Sequence, residues 1–177
     1  CRRQGARAIA FDVLYTEPSV YGVADDEALG AAIRGGHPFV GAAFLGSESG
    51  EETNWPAGIP AAGTAVEGLG DWLASRSRPG VAAPRAAFPV PAVATNATRL
   101  ANVSDLPDED GVFRRAALFQ VFDAKAVPSL GFAAYLAART DAEAREGIRI
   151  EEGWLHVGSR RIPIDRSGRS VLRFAGP

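Results

Sequence analysis

The sequence predicts an α/β domain with a mixed, largely parallel central sheet flanked by helices and a C-terminal β-hairpin region. Three observations carry that expectation. Residues 8–15 and 39–45 are nearly continuous apolar runs rather than alternating ones, as strands covered on both faces require. Between them, residues 25–34 read as a helix with acids in its first turn, so the order is strand, helix, strand, which implies a parallel pair joined by a crossover. From residue 148 onward, short apolar segments alternate with glycine-bearing turns, the pattern of hairpins. A length of 177 residues suits one domain, so residues 1–177 are read as a single unit.

Taken in order, residues 1–6 read as the end of a helix with Gly5 as its C-terminal cap. The first strand, 8–14, carries a single charge, Asp12, and Thr16-Glu17-Pro18-Ser19 ends it. Gly35-Gly36 stops the helix that follows, and 39–45 is the second buried strand. Residues 46–91 hold six of the twelve prolines and only one helical candidate, at 63–75; an irregular connection of this length is expected to be a functional or mobile surface excursion. Residues 112–122 then read as a strand, and 128–139 as a helix with Pro128 at its first position. Strands are expected at 148–150, 154–157, 161–164 and 170–174, with a hairpin through Gly158-Ser159-Arg160 and a turn at 165–169.

Nineteen basic against twenty-one acidic residues give a net charge of -2, so no cation excess exists to neutralise a phosphate backbone and nucleic acid is not an expected partner. Cys1 is the only cysteine, which excludes an internal disulfide and a cysteine metal cluster. His37 and His156 have no acid or nucleophile at telling spacing and are read as structural. The longest apolar run, 130–138, falls well short of the roughly 18 residues of a membrane span. The chain has no methionine and opens without an apolar leader, so it is expected to be a segment of a longer protein, with any membrane anchor outside this chain.

Most catalytic patterns fail on spacing. The two glycines Gly41 and Gly46 suggest a phosphate loop, but Ser47 stands where the lysine belongs. Gly68-Leu69-Gly70 lacks the third glycine of a dinucleotide loop, and Gly46-Ser47-Glu48-Ser49-Gly50 has glutamate where a nucleophile elbow needs serine. Aligning Gly111 with the glycine of a calcium loop puts Leu106 and Ala117 at carboxylate positions, so Asp105, Asp108 and Asp110 are read as a solvated turn rather than a metal site. Asn96-Ala97-Thr98 and Asn102-Val103-Ser104 are formal glycosylation sequons that decide nothing. No cofactor and no metal are expected.

Asp12 is the residue with the clearest physical tension, because a carboxylate at the end of a buried strand is costly unless paired or facing a crevice. Either it fixes its own loop by hydrogen bonds to neighbouring backbone, or it lies at a ligand crevice of the sort found beyond strand ends in open α/β sheets. On the second reading the site comprises Asp12, Tyr15 and Glu17 with one of Arg114 and Arg115 opposite, since successive strand residues point to opposite faces. Trp55, Tyr15 and Tyr21 could line a pocket or pack their loops down.

Three segments together resemble the CHASE domain of the second type. One runs from Gly5 through Phe11-Asp12 to Glu17-Pro18; the next is Asp108-Glu109-Asp110-Gly111-Val112-Phe113-Arg114-Arg115 followed by Val127-Pro128-Ser129-Leu130-Gly131. The third is Leu155-His156-Val157-Gly158, Ile162-Pro163-Ile164-Asp165, Gly168 and the closing Phe174-Ala175-Gly176-Pro177. The resemblance corresponds to the middle portion of such domains. It implies an extracytoplasmic sensory module, itself non-catalytic, in a membrane-bound bacterial protein with a cyclase or kinase output domain, with an unknown small-molecule ligand and a homodimeric full-length receptor. The contrasting reading from the residues alone is a small α/β enzyme using Asp12 with Arg114 or Arg115 on a small anion.

Overall fold

The computed structural model describes residues 4–48, 50–60, 64–140, 143 and 145–173. Its first half is organised around β2 (Phe39–Gly46), which is almost wholly buried. β1 (Ile9–Phe11) pairs with it in parallel, Ile9 opposite Phe39, and α1 (Val23–Arg34) is the crossover between them, as the strand-helix-strand pattern predicts. β4 (Arg99–Asn102) joins β2, also in parallel, with Val40 opposite Arg99. The small residues of β2 permit this closeness: a Cβ on Gly41 would lie 3.2 Å from Cδ2 of Leu100, tighter than ordinary contact.

The largely parallel expectation is corrected beyond these two pairings. β3 (Arg85–Ala87) runs antiparallel to β2, and the remaining ladders are antiparallel as well: β5 (Arg115–Ala117) with β11 (Arg169–Val171), β6 (Phe119–Phe122) with β7 (Lys125–Pro128), and β9 (Trp154–Val157) with both β8 (Ile148–Glu151) and β10 (Arg160–Pro163). For β6–β7, β8–β9 and β9–β10 the reason is connection length, because strands joined by two residues can only turn back on each other. The expected hairpin at Gly158 forms, with a loop of just Gly158-Ser159, since Arg160 already pairs with Val157; Gly158 takes φ 60, the positive value needed at the first central position of a II′ turn.

Two further boundaries change. The single strand expected at 112–122 splits at Leu118, whose N–H donates to Gly168 O while its carbonyl accepts from Ser129 N, so the chain leaves one ladder and enters another. Pro128 does not open a helix; it closes β7 opposite Phe119, where its missing N–H is tolerated at a strand end, and α4 is Leu130–Ala137. Of the helix end expected at 1–6, residues 1–3 lie outside the described residues, as does residue 174 of the last expected strand.

β6 and β7 are joined by Asp123 and Ala124 at φ 48 and 58, a I′ turn built without glycine. A left-handed alanine costs roughly 1–2 kcal/mol, and glycine at that position gives part of it back as unfolded-chain entropy. Ala124→Gly is therefore expected to stabilise the protein by about 0.5–1 kcal/mol in urea denaturation, with Asp123 unaffected.

The core falls into two main clusters. One gathers Leu45, Ala86, Leu100, Phe122 and Val127 around β2, β3 and β4; the other gathers Trp72, Phe119, Leu136, Leu155 and Val157 between α2 (Leu69–Ser75), α4 and the C-terminal hairpins. The excursion at 46–91 is threaded into both. Trp55 packs edge-on against Phe88 at 5.0 Å and its backbone N–H donates to Asp123 Oδ2, while α2 contributes Trp72. Trp55 thus packs its loop down rather than lining a pocket. Arg78, its side chain 3% exposed, lies 3.9 Å over the Trp72 ring, donates to Trp72 O and pairs with Glu152 at 2.9 Å, fastening α2 to the β8–β9 turn.

Candidate functional site

β2 and β4 end side by side, and beyond their carboxyl ends opens a crevice of about 470 Å³, the position where open α/β sheets take ligands. Its polar end is built by Asn102, the last residue of β4, only 3% exposed. Asn102 Oδ1 accepts from the N–H groups of Leu45 and Ser104, both at 3.0 Å, while its amide donates to Gln120 Oε1 at 2.8 Å and to Ser104 O at 2.9 Å. The Ser104 hydroxyl donates to Leu45 O. Side-chain atoms thus extend the β2–β4 ladder after the backbone of β4 has ended, and leave Ser104, Asp105 and Gln120 lining the crevice. Gln120 also donates to Gly80 O at 3.2 Å, tying in the wall formed by the irregular segment.

Arg169 of β11 lines the same crevice. Its Nη2 donates to the carbonyls of Leu106 (2.7 Å) and Arg115 (3.1 Å), and Nη1 lies 3.6 Å from Asp108 Oδ1. Its Nε–H is buried and has no acceptor among the described residues. Glu48 and Asp105, also lining the crevice, join no ion pair among the described residues.

The residues expected to form the site are dispersed. Asp12 lies beyond β1 and is exposed, so the buried carboxylate that motivated the expectation is not there. β1 stops at Phe11, and the apolar run past it leaves the sheet; Val13 is 43% exposed. Tyr15 is half-buried, stacked on Phe11 at 6.2 Å, and its carbonyl accepts from Val90 N; Glu17 is exposed. Arg114 and Arg115 face the acidic turn instead. Arg114 is 2.8 Å from Asp110 and 3.8 Å from Asp108, and Arg115 is 3.7 Å from Asp108. Among the described residues neither arginine pairs with Asp12 or Glu17. The hydrogen bond from Arg114 holds the Asp110 carboxyl below its ordinary range and raises Arg114. Both sequons are occupied by structure: Asn102 is buried, and Asn96 accepts from Arg34 while donating to Ala92 O.

A second, wider cleft of about 560 Å³ lies beside β8 and β9, edged by Glu67, Glu146, Arg149 and His156. His156 Nε2 sits 2.6 Å from Glu151 Oε1, and this contact is the main reason the Glu151 carboxyl is lowered. Lys125 lowers Asp123, the Thr140 N–H lowers Glu143 and Arg78 lowers Glu152 by hydrogen bonding in the same way. A carboxyl depressed in the folded state contributes stability above its unfolded pKa and loses it as pH falls through the folded value. The melting temperature is therefore expected to be flat from about pH 7 to 5 and to fall below about pH 4. High salt should flatten that fall, because these pairs are exposed.

Fold and crevice define a mixed α/β domain with a ligand-sized opening at the ends of its parallel strands. The family model of the CHASE2 domain matches residues 1–177, and the chain belongs to that family. CHASE2 domains are sensory domains of signalling proteins. No curated protein and no solved structure gives a significant match. Among the described residues no helix is long and apolar enough to cross a membrane.

Proposed function

We propose that this chain is the extracytoplasmic signal-input domain of a membrane-bound bacterial signalling protein, such as an adenylate or guanylate cyclase or a sensor kinase, and that it detects a small molecule in the crevice beyond β2 and β4. The observation that carries the sensory role is the family match over the whole chain. The crevice supports the small-molecule reading, because its volume falls in the range of small-ligand sites and it combines an apolar floor with a few fixed polar groups. On this reading the anchoring helices lie outside the chain, the full-length receptor works as a homodimer, and the chemistry belongs to the output domain.

The test uses the full-length protein in its own membrane. Ser159→Cys, at the exposed tip of the β9–β10 turn, is expected to react with a membrane-impermeant maleimide in intact cells, relative to a protein lacking that substitution. Reaction only after lysis would put the domain on the cytoplasmic side and end the proposal.

A further inference from the structure

The crevice beyond β2 and β4 carries both signs of charge on different elements. Glu48 follows the end of β2 and Asp105 follows the end of β4, so the two adjacent parallel strands deliver two carboxylates to one edge. Neither joins an ion pair among the described residues. Carboxylates brought together favour an added cation. Arg169 comes from the separate β5–β11 ladder. Its Nη2 is taken up by two carbonyls, whereas Nη1 makes no hydrogen bond among the described residues and meets Asp108 only at 3.6 Å, so Nη1 remains to receive an anion's oxygen. Phe44, Leu45, Ala83 and Pro84 give an apolar lining between these groups.

We propose, resting on the reading of this crevice as the sensing site, that it takes a zwitterion with an apolar body: an α-amino acid or short peptide with a free ammonium and a free carboxylate. The Arg169 Nη1 donates a charge-assisted hydrogen bond to the carboxylate, and Glu48 and Asp105 receive the ammonium. A simple anion would meet two carboxylates. A simple amine would leave the Arg169 Nη1 without a carboxylate, and a neutral sugar would answer neither charge. The volume of about 470 Å³ admits a residue or two with bound water.

The experiment is calorimetric titration and thermal shift with probes that differ by one charge. L-leucine is compared with 4-methylpentanoate and 3-methylbutylamine, and L-phenylalanine with 3-phenylpropanoate and 2-phenylethylamine; the other proteinogenic amino acids and leucylglycine complete the panel. At least one zwitterion is expected to bind and to raise the melting temperature, with affinity falling about tenfold or more when either charge is removed. Asp105→Asn and Glu48→Gln, both at exposed positions, should bring the zwitterion down to the affinity of the acid analogue. Arg169→Gln should bring it down to that of the amine. The two carboxylate variants keep the test open if the arginine variant folds poorly. Equal binding of zwitterion and amine, or no binding by any zwitterion at millimolar concentration, overturns the ligand class. Such a failure leaves the sensory reading standing if Ser159→Cys still labels from outside, whereas labelling only after lysis sinks the sensory reading whatever binds.

Discussion

Asn102→Leu is expected to destabilise the protein by about 3 kcal/mol or more in urea denaturation. The substitution keeps the branched shape and removes both ends of the amide, so the Leu45 N–H loses its acceptor and Gln120 Oε1 its donor in a region that is nearly closed to solvent. Each buried group left unpaired costs roughly 1–3 kcal/mol, and Ser104 loses its bonds to Asn102 as well. Asn102→Asp, which keeps the acceptor and loses the donor, should cost less at low pH than at neutral pH, because a buried carboxylate protonates to escape its desolvation. A loss below about 1 kcal/mol for Asn102→Leu would mean that the amide is not what holds the ends of β2 and β4 together. The same variant should also blunt binding in the crevice, since Ser104 and Gln120 are positioned by Asn102.

The strand-helix-strand unit was legible because residues 8–15 and 39–45 must be covered on both faces, and an intervening helix leaves the parallel arrangement as the natural solution. The β9–β10 hairpin was legible for an equally local reason, the glycine at Gly158. The β6–β7 hairpin was not, because its turn is Asp123-Ala124, and alanine at φ 58 is a conformation that sequence statistics give no reason to expect. With that turn unseen, 112–122 read as one strand and Pro128 as a helix start. Extending the parallel pattern of the first unit to the whole sheet was the larger error, since β3 sits in a proline-rich segment that carries little strand signal.

The crevice at β2 and β4 was not legible for a different reason. The rule that crevices open beyond parallel strand ends points, in the sequence, to β1, an edge strand only three residues long. The structure puts the crevice at β2 and β4. Glu48, Asp105 and Arg169 are far apart in sequence, and only topology brings them together. Asn102 did carry a signal: a polar residue closing the apolar Leu100-Ala101 run, followed by Ser104. The sequon pattern hides that signal, although the cost of burying an amide in a strand points to a hydrogen-bonded network.

Phe119→Ala is expected to cost about 3–5 kcal/mol, the range for removing a buried phenylalanine when the cavity it leaves cannot fully collapse. Phe119 is 2% exposed, its ring stands edge-on to Trp72 at 6.0 Å, and Gly168 is close enough that even a Cβ there would lie 3.5 Å from the ring. These neighbours belong to α2 and to the turn before β11, so collapse would have to move two elements at once. β6 also serves both halves of the core, with Phe119 and Val121 in the cluster of the C-terminal hairpins and Phe122 in the cluster around β2. Because side chains alternate across a strand, displacing Phe119 disturbs the register that holds Gln120 in the Asn102 network. Unfolding followed by tryptophan fluorescence and by far-ultraviolet circular dichroism should therefore shift together in the variant, as one cooperative transition. Two separated transitions, with the β2 region surviving the loss of Trp72 packing, would show that the two clusters fold independently and that β6 does not couple them.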